Sequence, residues 1–347
     1  MNEPARRPRR GGVRWAHLAT ARDVAAVAGV SAQTVSRVTN GAGNVRPETR
    51  QRVLQAMGTV GYTPNAAART LRSGRADTLG LVVHHLTRTG EAHVVAAVAE
   101  TAHARGYAVT LVDASSASVG DLNQAIFRLP QGVAGLVVLG LETADLDGLQ
   151  PPARVPVVVA DSRTSALPSV GFDQAGGARL AVEHLLGLGH RTVHLLAGPD
   201  DSLQASQRAE GWRAALTAVG RPVPGIVRGD WTPASGYAGG RALAADPDVT
   251  AVFAANDEMA AGLLRALHEA GRHVPEDVSV VGFDDIMGEY LWPPLTTVRQ
   301  DFAAIGENLV RLLLSRVDPD AVGDPVTTLV PATLIVRASS GPGPRSS

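Results

Sequence analysis

The 347-residue chain reads as a small all-α N-terminal domain followed by an α/β body of two doubly wound parallel-sheet lobes. Three observations predict this architecture. The length exceeds what a single hydrophobic core usually occupies. Helical apolar periodicity in residues 20–60 gives way, after residue 77, to short apolar runs alternating with amphipathic stretches. The formal net charge of −1 hides two opposed parts: residues 1–75 hold thirteen Arg against Glu3, Asp23 and Glu48, a balance of +10, and the remainder comes to −11.

Composition excludes several chemistries. Cys is absent, which removes disulfides, thiolate metal sites and a Cys nucleophile and fits a reducing compartment. Every basic residue is Arg and none is Lys, a compositional bias. No apolar run approaches the roughly 20 residues that cross a bilayer, and the Arg-rich stretch Arg6 to Arg14 leads into no signal-peptide apolar segment. The expectation is a soluble, unsecreted, cytoplasmic protein. Residues 1–19, dominated by Arg, Pro and Gly, read as a disordered basic extension.

From Thr20 the pattern turns helical. Thr20 is an N-cap with Asp23 three residues on, Val24, Ala25 and Ala28 share one face, and Gly29 stops the helix. After the tight turn Gly29-Val30-Ser31, Ser31 caps a second helix, Ala32 to Thr39, with Val35 and Val38 inward and Gln33, Thr34, Ser36, Arg37 and Asn40 outward. A helix, a short Gly turn and a second helix with a polar outer face make a helix-turn-helix, whose second helix fits the DNA major groove. There Gln and Arg read base edges, while Ser, Thr and Asn reach phosphates or bases. A third amphipathic stretch, Pro47 to Val60, with Pro at its start and Gly61 at its end, completes a three-helix core over 20–64. Residues 65–76 then hold a short Ala-rich segment with Arg69, Leu71 and Arg72. It is too short to be stable alone and suited to ordering when it meets DNA.

The body, 77–338, alternates apolar runs and helices: Thr78 to His84, Val94 to Arg105, Ala108 to Asp113, Gly120 to Leu129 and Gly135 to Leu141. Beyond Pro151 and Pro156, strands at Val157 to Asp161, Val193 to Gly198, Gly225 to Gly229, Ala251 to Ala255 and Val278 to Asp284 alternate with helices at Gln174 to Leu188, Gln204 to Val219, Ala234 to Ala244 and Glu258 to Ala270. These strands are too many for one small sheet, so two lobes are expected, with ligand beyond the strands' carboxyl ends. Asp161, Asn256-Asp257 and Asp284-Asp285 close strands there, Arg208 opens a helix and Trp231 follows Gly229-Asp230. Carboxylates, an amide and an Arg beside an aromatic face suit the hydroxyls and apolar face of a sugar ring. Asp161 and Asn256 read equally well as helix caps.

The residues Asp23-Val-Ala-x-x-Ala-Gly-Val-Ser-x-x-Thr-Val-Ser-Arg-Val-x-Asn40, with Arg50, Val53, Gly61-Tyr62, Pro64-Asn65, Ala68-Arg69 and Leu71, resemble the headpiece and hinge of the lac repressor/galactose repressor family. The resemblance continues through Leu196-Ala197-Gly198-Pro199, Arg208, Gly229-Asp230-Trp231, Ala255-Asn256-Asp257, Val280 to Asp285 and Pro293 to Phe302. It is closest there to the lac repressor branch and covers about residues 20–338. It implies a periplasmic-binding-protein-like body and a palindromic double-stranded DNA operator. Ala32 and Gln33 would open the recognition helix, and Leu71 would wedge into the minor groove and kink the duplex. The DNA-contacting set it implies is Thr20, Arg22, Ser31, Ala32, Gln33, Thr34, Ser36, Arg37, Asn40, Asn44, Tyr62, Asn65, Ala68 and Leu71. In the cleft it makes Asp161, Arg208 and Asn256 sugar-hydroxyl partners, Trp231, Phe302 and Phe172 the apolar wall, and Asp284 and Gln300 a second polar layer. His84, Gln204 and the run Leu86 to Glu91 depart from the family pattern; His84 and Gln204 are kept as candidate contacts on the ligand's outer side, and a galactoside-like ring is favoured.

Two other classes fit these residues less well. A pure sugar-binding module shares the lobes but not the basic headpiece. An enzyme would need a motif that is missing: no phosphate loop, no His-Glu-x-x-His and no Gly-x-Ser-x-Gly occurs, and His268 and His273 are badly spaced for a metal. The adjacent His84 and His85 would point to opposite faces of a strand. No cofactor or metal is expected. The reading is an allosteric, sugar-responsive repressor; the purine-repressor branch offers the opposite coupling, with the ligand as corepressor. Reading a palindrome needs a homodimer. Residues 339–347 read as a disordered tail without a leucine heptad, which predicts no tail-mediated tetramer.

Overall fold

A computed structural model of the chain describes residues 19–39, 44–62, 76–84, 86–139, 148–163, 167–317 and 326–344. The chain divides into two compact units, Met1–Ala76 and Asp77–Ser347.

In the first unit, helices α1 (Ala21–Ala28), α2 (Ala32–Thr39) and α3 (Pro47–Val60) pack on one another around Val24, Val35, Val38 and Val53. Each end has a local cause. Thr20 and Asp23 form a reciprocal capping box at the start of α1. Gly29 ends that helix at φ 62°, a left-handed conformation that costs a residue with a Cβ about 1 kcal/mol or more. Ser31 Oγ accepts from the Thr34 amide (3.1 Å) at the start of α2, and Pro47 opens α3.

The second unit holds two six-stranded sheets. The first lobe uses β1 (Thr78–Val83), β2 (Ala108–Asp113), β3 (Gly135–Val138), β4 (Val157–Val159), β5 (Ser169–Phe172) and β11 (Thr327–Val330), in the order β11-β5-β4-β3-β1-β2. Helices α4 (Thr89–Ala104) and α10 (Phe302–Leu314) cover one face, and α5 (Val119–Arg128) covers the other. The second lobe uses β6 (His194–Ala197), β7 (Val227–Arg228), β8 (Ala251–Ala254), β9 (Ser279–Asp284), β10 (Thr296–Arg299) and β12 (Thr333–Ile335), in the order β12-β10-β9-β8-β6-β7. Helices α6 (Gln174–Gly187) and α7 (Leu203–Ala218) lie on one face, α8 (Pro233–Ala244) and α9 (Asp257–Glu269) on the other. All pairings are parallel except β10 with β12. Burial on both faces explains why the strands read as continuous apolar runs.

The chain passes between the lobes three times, after Phe172, after Arg299 and after Val330. These crossings are what periodicity misses. Strand β5 has four residues, one of them Gly, and β10 opens on Thr296-Thr297, so neither stands out in sequence. Helix α4 starts at Thr89, ahead of the expected Val94, because its first turn is polar.

The expected disordered tail is a correction. Residues 339–344 are packed on the second lobe, and Ser339 is fully buried. Its backbone oxygen accepts from the Val280 amide (2.8 Å), and its hydroxyl donates to the Val280 carbonyl (2.6 Å) while accepting from the Thr296 amide (2.8 Å). His190 Nε2 donates to the Gly341 carbonyl (3.2 Å), and burial pushes this imidazole below its ordinary pKa although that bond opposes the shift. Small residues allow this close main-chain approach, so a composition typical of disorder also suits a strap laid across a sheet end. Deleting residues 338–347 is expected to lower the urea stability of the chain by about 2–4 kcal/mol, several buried hydrogen bonds at about 1 kcal/mol each. An unchanged midpoint by tryptophan fluorescence would refute the strap's contribution.

Candidate functional site

A cavity of about 530 Å³ lies where the carboxyl ends of the two sheets face each other, within the about 300–1,000 Å³ of small-molecule sites. Its polar floor is built on Arg208, in the second turn of α7 and only 4% exposed. The guanidinium donates from Nε to Gln174 Oε1 (2.7 Å), from Nη2 to Asp284 Oδ1 (3.2 Å) and from Nη1 to the Ala255 carbonyl. Gln300 Nε2 donates to the same Asp284 oxygen (2.5 Å), and Gln174 Nε2 donates to Gln300 Oε1 (3.2 Å), closing a ring of four side chains. The Phe283 ring lies 3.8 Å from the guanidinium carbon and the Trp231 ring 5.4 Å. Burial pushes the arginine's pKa down and the Asp284 carboxylate opposes that, keeping the group charged. Three of its five N–H groups serve these bonds.

The strand ends supply the rest of the wall. Asn256 is both helix cap and cavity residue: its Oδ1 accepts from the Met259 amide (2.9 Å), and its Nδ2 donates to the Trp231 carbonyl (3.0 Å) and to Glu258 Oε2 (2.8 Å). Trp231 adopts φ 76°, which lays its indole over Gly198; a Cβ there would fall 2.3 Å from the ring. Asp284 and Asp285 adopt φ 100° and 57°. Such backbone costs about 1–3 kcal/mol per residue and persists where surrounding bonds dictate it. Here Arg208 and Gln300 hold Asp284, while Arg299 (2.7 Å) and Arg337 (2.7 Å) hold Asp285. Beneath them the buried Asp257 accepts from Thr297 Oγ1 (2.6 Å) and the Ile286 amide (2.9 Å), and burial pushes its carboxyl up to about 7.

The first lobe contributes the facing wall. Phe172 and Phe302 meet edge to face at 5.4 Å, and His93 stacks on Phe302 at 5.1 Å. Asp161 caps no helix; it accepts from the Arg163 amide (2.7 Å) and pairs with the Arg163 guanidinium (2.6 Å). Among the described residues two side-chain hydrogen bonds cross the cleft: Thr89 Oγ1 donates to Glu258, and Ser162 Oγ donates to Gln207 Oε1 (2.7 Å).

Of the residues expected to meet ligand, Asp161, Phe172, Gln204, Arg208, Trp231, Asn256, Asp284, Gln300 and Phe302 all line this cavity. His84 does not. It is buried with Nδ1 against the Ala114 carbonyl (3.1 Å), a contact between the ends of two neighbouring strands. Sequence reasoning missed Gln174, which reads as the first residue of a helix, and Glu258 and Thr89, whose role arises only when the lobes face each other.

In the first unit, Arg22, Ala32, Gln33, Arg37 and Asn44 are exposed. Thr20 and Ser31 are engaged as caps, with Thr34 against Ser31 (3.0 Å), and Ser36 is half-buried. Tyr62 is half-buried against the three-helix core. Asn40, Asn65, Ala68 and Leu71 lie outside the described residues.

Residues 20–65 match the bacterial regulatory proteins of the lacI family, and residues 182–340 match a periplasmic binding protein-like domain. The HTH-type transcriptional regulator CelR of Thermobifida fusca is 38% identical over 331 residues, 91% of this chain and 96% of the relative. The lactose operon repressor of Escherichia coli K12 is 36% identical over 325 residues, 92% and 89% of the two chains. The transcriptional repressor PurR of Pasteurella multocida is 33% identical over 333 residues, 93% and 98%. Among solved structures, the lac repressor dimer bound to operator and the anti-inducer ONPF superposes with TM-score 0.78 at 34% identity, covering 93% of this chain and 99% of that one. The CelR–cellobiose complex gives 0.68 at 36% identity, covering 92% and 99%. These relatives are transcriptional regulators, not enzymes, and no described helix is long and apolar enough to cross a membrane. With a helix-turn-helix headpiece and a two-lobed α/β body matched over nine-tenths of its length, the chain belongs to the lacI family of bacterial regulatory proteins.

Proposed function

We propose that the protein is a cytoplasmic, sequence-specific transcriptional repressor that binds a palindromic operator as a homodimer and is released by a sugar held in the cleft. One observation carries this reading: a cavity walled by Trp231, Phe172 and Phe302 and floored by the Arg208 ring stands in the same chain as an exposed, polar recognition helix. Aromatic faces suit the apolar side of a pyranose, and Arg208, Asp161 and Asn256 suit its hydroxyls. The CelR relative, solved as a complex with cellobiose, supports the sugar class.

The basic first unit supplies salt-sensitive phosphate attraction, and Gln33 and Arg37 supply base reading, with Leu71 as the minor-groove wedge. Because the walls come from both lobes, a ligand that binds one lobe orientation more tightly shifts the population toward it and away from the operator-bound arrangement. A ligand that binds the operator-bound arrangement better acts instead as corepressor. Symmetric DNA reading requires two copies, and Tyr290 and Trp292, 85% and 89% exposed, offer an apolar surface for the second.

Arg208→Ala is expected to abolish the sugar response while operator binding persists. Trp231→Ala, which leaves the buried ion pair in place, should weaken sugar binding about tenfold or more. Gel-shift titrations with cellobiose, lactose and purines decide both, and loss of operator binding in Trp231→Ala would overturn the assignment. Gln33→Ala should relax selectivity at one base position by about 1–3 kcal/mol without changing the salt slope; a uniform loss on random DNA would make Gln33 a backbone contact. Trp292→Ala should shift the sedimentation equilibrium toward monomer, and an unchanged dimer would place the interface elsewhere.

A further inference from the structure

The charges lining the cavity do not balance. The positive ones are Arg88 and Arg208; the negative ones are Glu91, Asp161, Asp230, Glu258 and Asp284. Three of these carboxylates have a cationic partner: Asp284 has Arg208 (3.2 Å), Glu91 has Arg88 (3.8 Å) and Asp161 has Arg163 (2.6 Å). The other two take uncharged donors. Asp230 accepts from the Thr232 amide (3.0 Å) and hydroxyl (2.6 Å), and Glu258 accepts from Asn256 Nδ2 (2.8 Å) and Thr89 Oγ1. Asp230 is exposed, where water and salt screen its field; Glu258 is half-buried, so its charge acts at close range inside the cleft. Both lining guanidinium groups are already matched to carboxylates, so the described lining residues hold no surplus cation for an anionic ligand.

We propose that Glu258 is a charge filter that makes the cavity select uncharged glycosides and reject sugar phosphates and sugar acids. The inference rests on the sugar reading above and narrows it. Glu258 is well placed for the task because its two donors tie it to both lobes: Asn256 lies in the second lobe and Thr89 in the first. These two bonds hold the carboxylate at the cavity wall, and like charges brought together in a partly dry cleft repel strongly. Glycoside hydroxyls, in contrast, can donate to its remaining acceptor sites.

Isothermal titration calorimetry on the full chain tests this with four probes: cellobiose, cellobiose 6′-phosphate, cellobionic acid and lactose. The two anions carry charge at opposite ends of the disaccharide, so a filter acting at only one end is also detected. The neutral sugars that bind are expected to do so at least about tenfold more tightly than either anion. Glu258→Gln should bring the anions to within about threefold of their neutral parent, while Glu258→Asp, which keeps the charge, should preserve the discrimination. Thermal melting confirms that each variant is folded. Anions binding the unaltered protein as tightly as cellobiose, or discrimination surviving in Glu258→Gln, would overturn the filter and leave the sugar reading standing. Failure of both neutral sugars, with an anion bound, would overturn both.

Discussion

Arg208 carries its charge to a position where the side chain is almost wholly buried, and the structure around the cleft is arranged to meet it. Removing one partner of a buried ion pair costs about 3–5 kcal/mol, because the other charge is left uncompensated. Asp284 therefore has to stand where it does, although that position requires a left-handed backbone. Gln300 supports Asp284, Gln174 links Arg208 to Gln300, and Phe283 lies against the guanidinium face. These side chains come from α6, α7, β9 and the residue after β10, so one charge fixes four elements of the second lobe relative to one another.

The same network reaches the lobe crossings. Gln174 follows the first crossing and Gln300 opens the second, and each bonds to the other and to the charged pair. The ring of Arg208, Gln174, Gln300 and Asp284 is thus attached to two of the three strands of chain that join the lobes. Asp285, next to Asp284, is held by Arg299 at the end of β10 and by Arg337 ahead of the C-terminal strap. Strain at Asp284 and Asp285 is confined between these two sets of bonds.

Caps have a double use in this molecule. Asn256 satisfies the first turn of α9 and still presents an edge to the cavity, and Asp173 and Ser202 cap α6 and α7 at the same rim. In a doubly wound sheet the helices begin where the strands end, so helix N-termini and ligand share one rim. Capping and ligand contact are then compatible roles for one side chain.

The headpiece was the most legible part of the sequence because its causes are local: the Thr20–Asp23 box, the Gly29 turn, the Ser31 cap and the Pro47 start each act within four residues. The alternation of strands and helices was equally legible, since burial on both faces demands unbroken apolar runs such as those of β1 and β9. Nine of ten expected cleft residues line the cavity because strand ends converge in any doubly wound lobe. What tertiary structure alone decided are pairings distant in sequence. His84 turned to Ala114 and not to the cavity; Gln174 joined Arg208; Ser339 entered the core beside Val280; and Thr89 met Glu258 across the cleft. Hydrophobic periodicity records which face of an element is buried, but the partner of a buried polar group is chosen by the three-dimensional arrangement that brings a complementary donor or acceptor within reach.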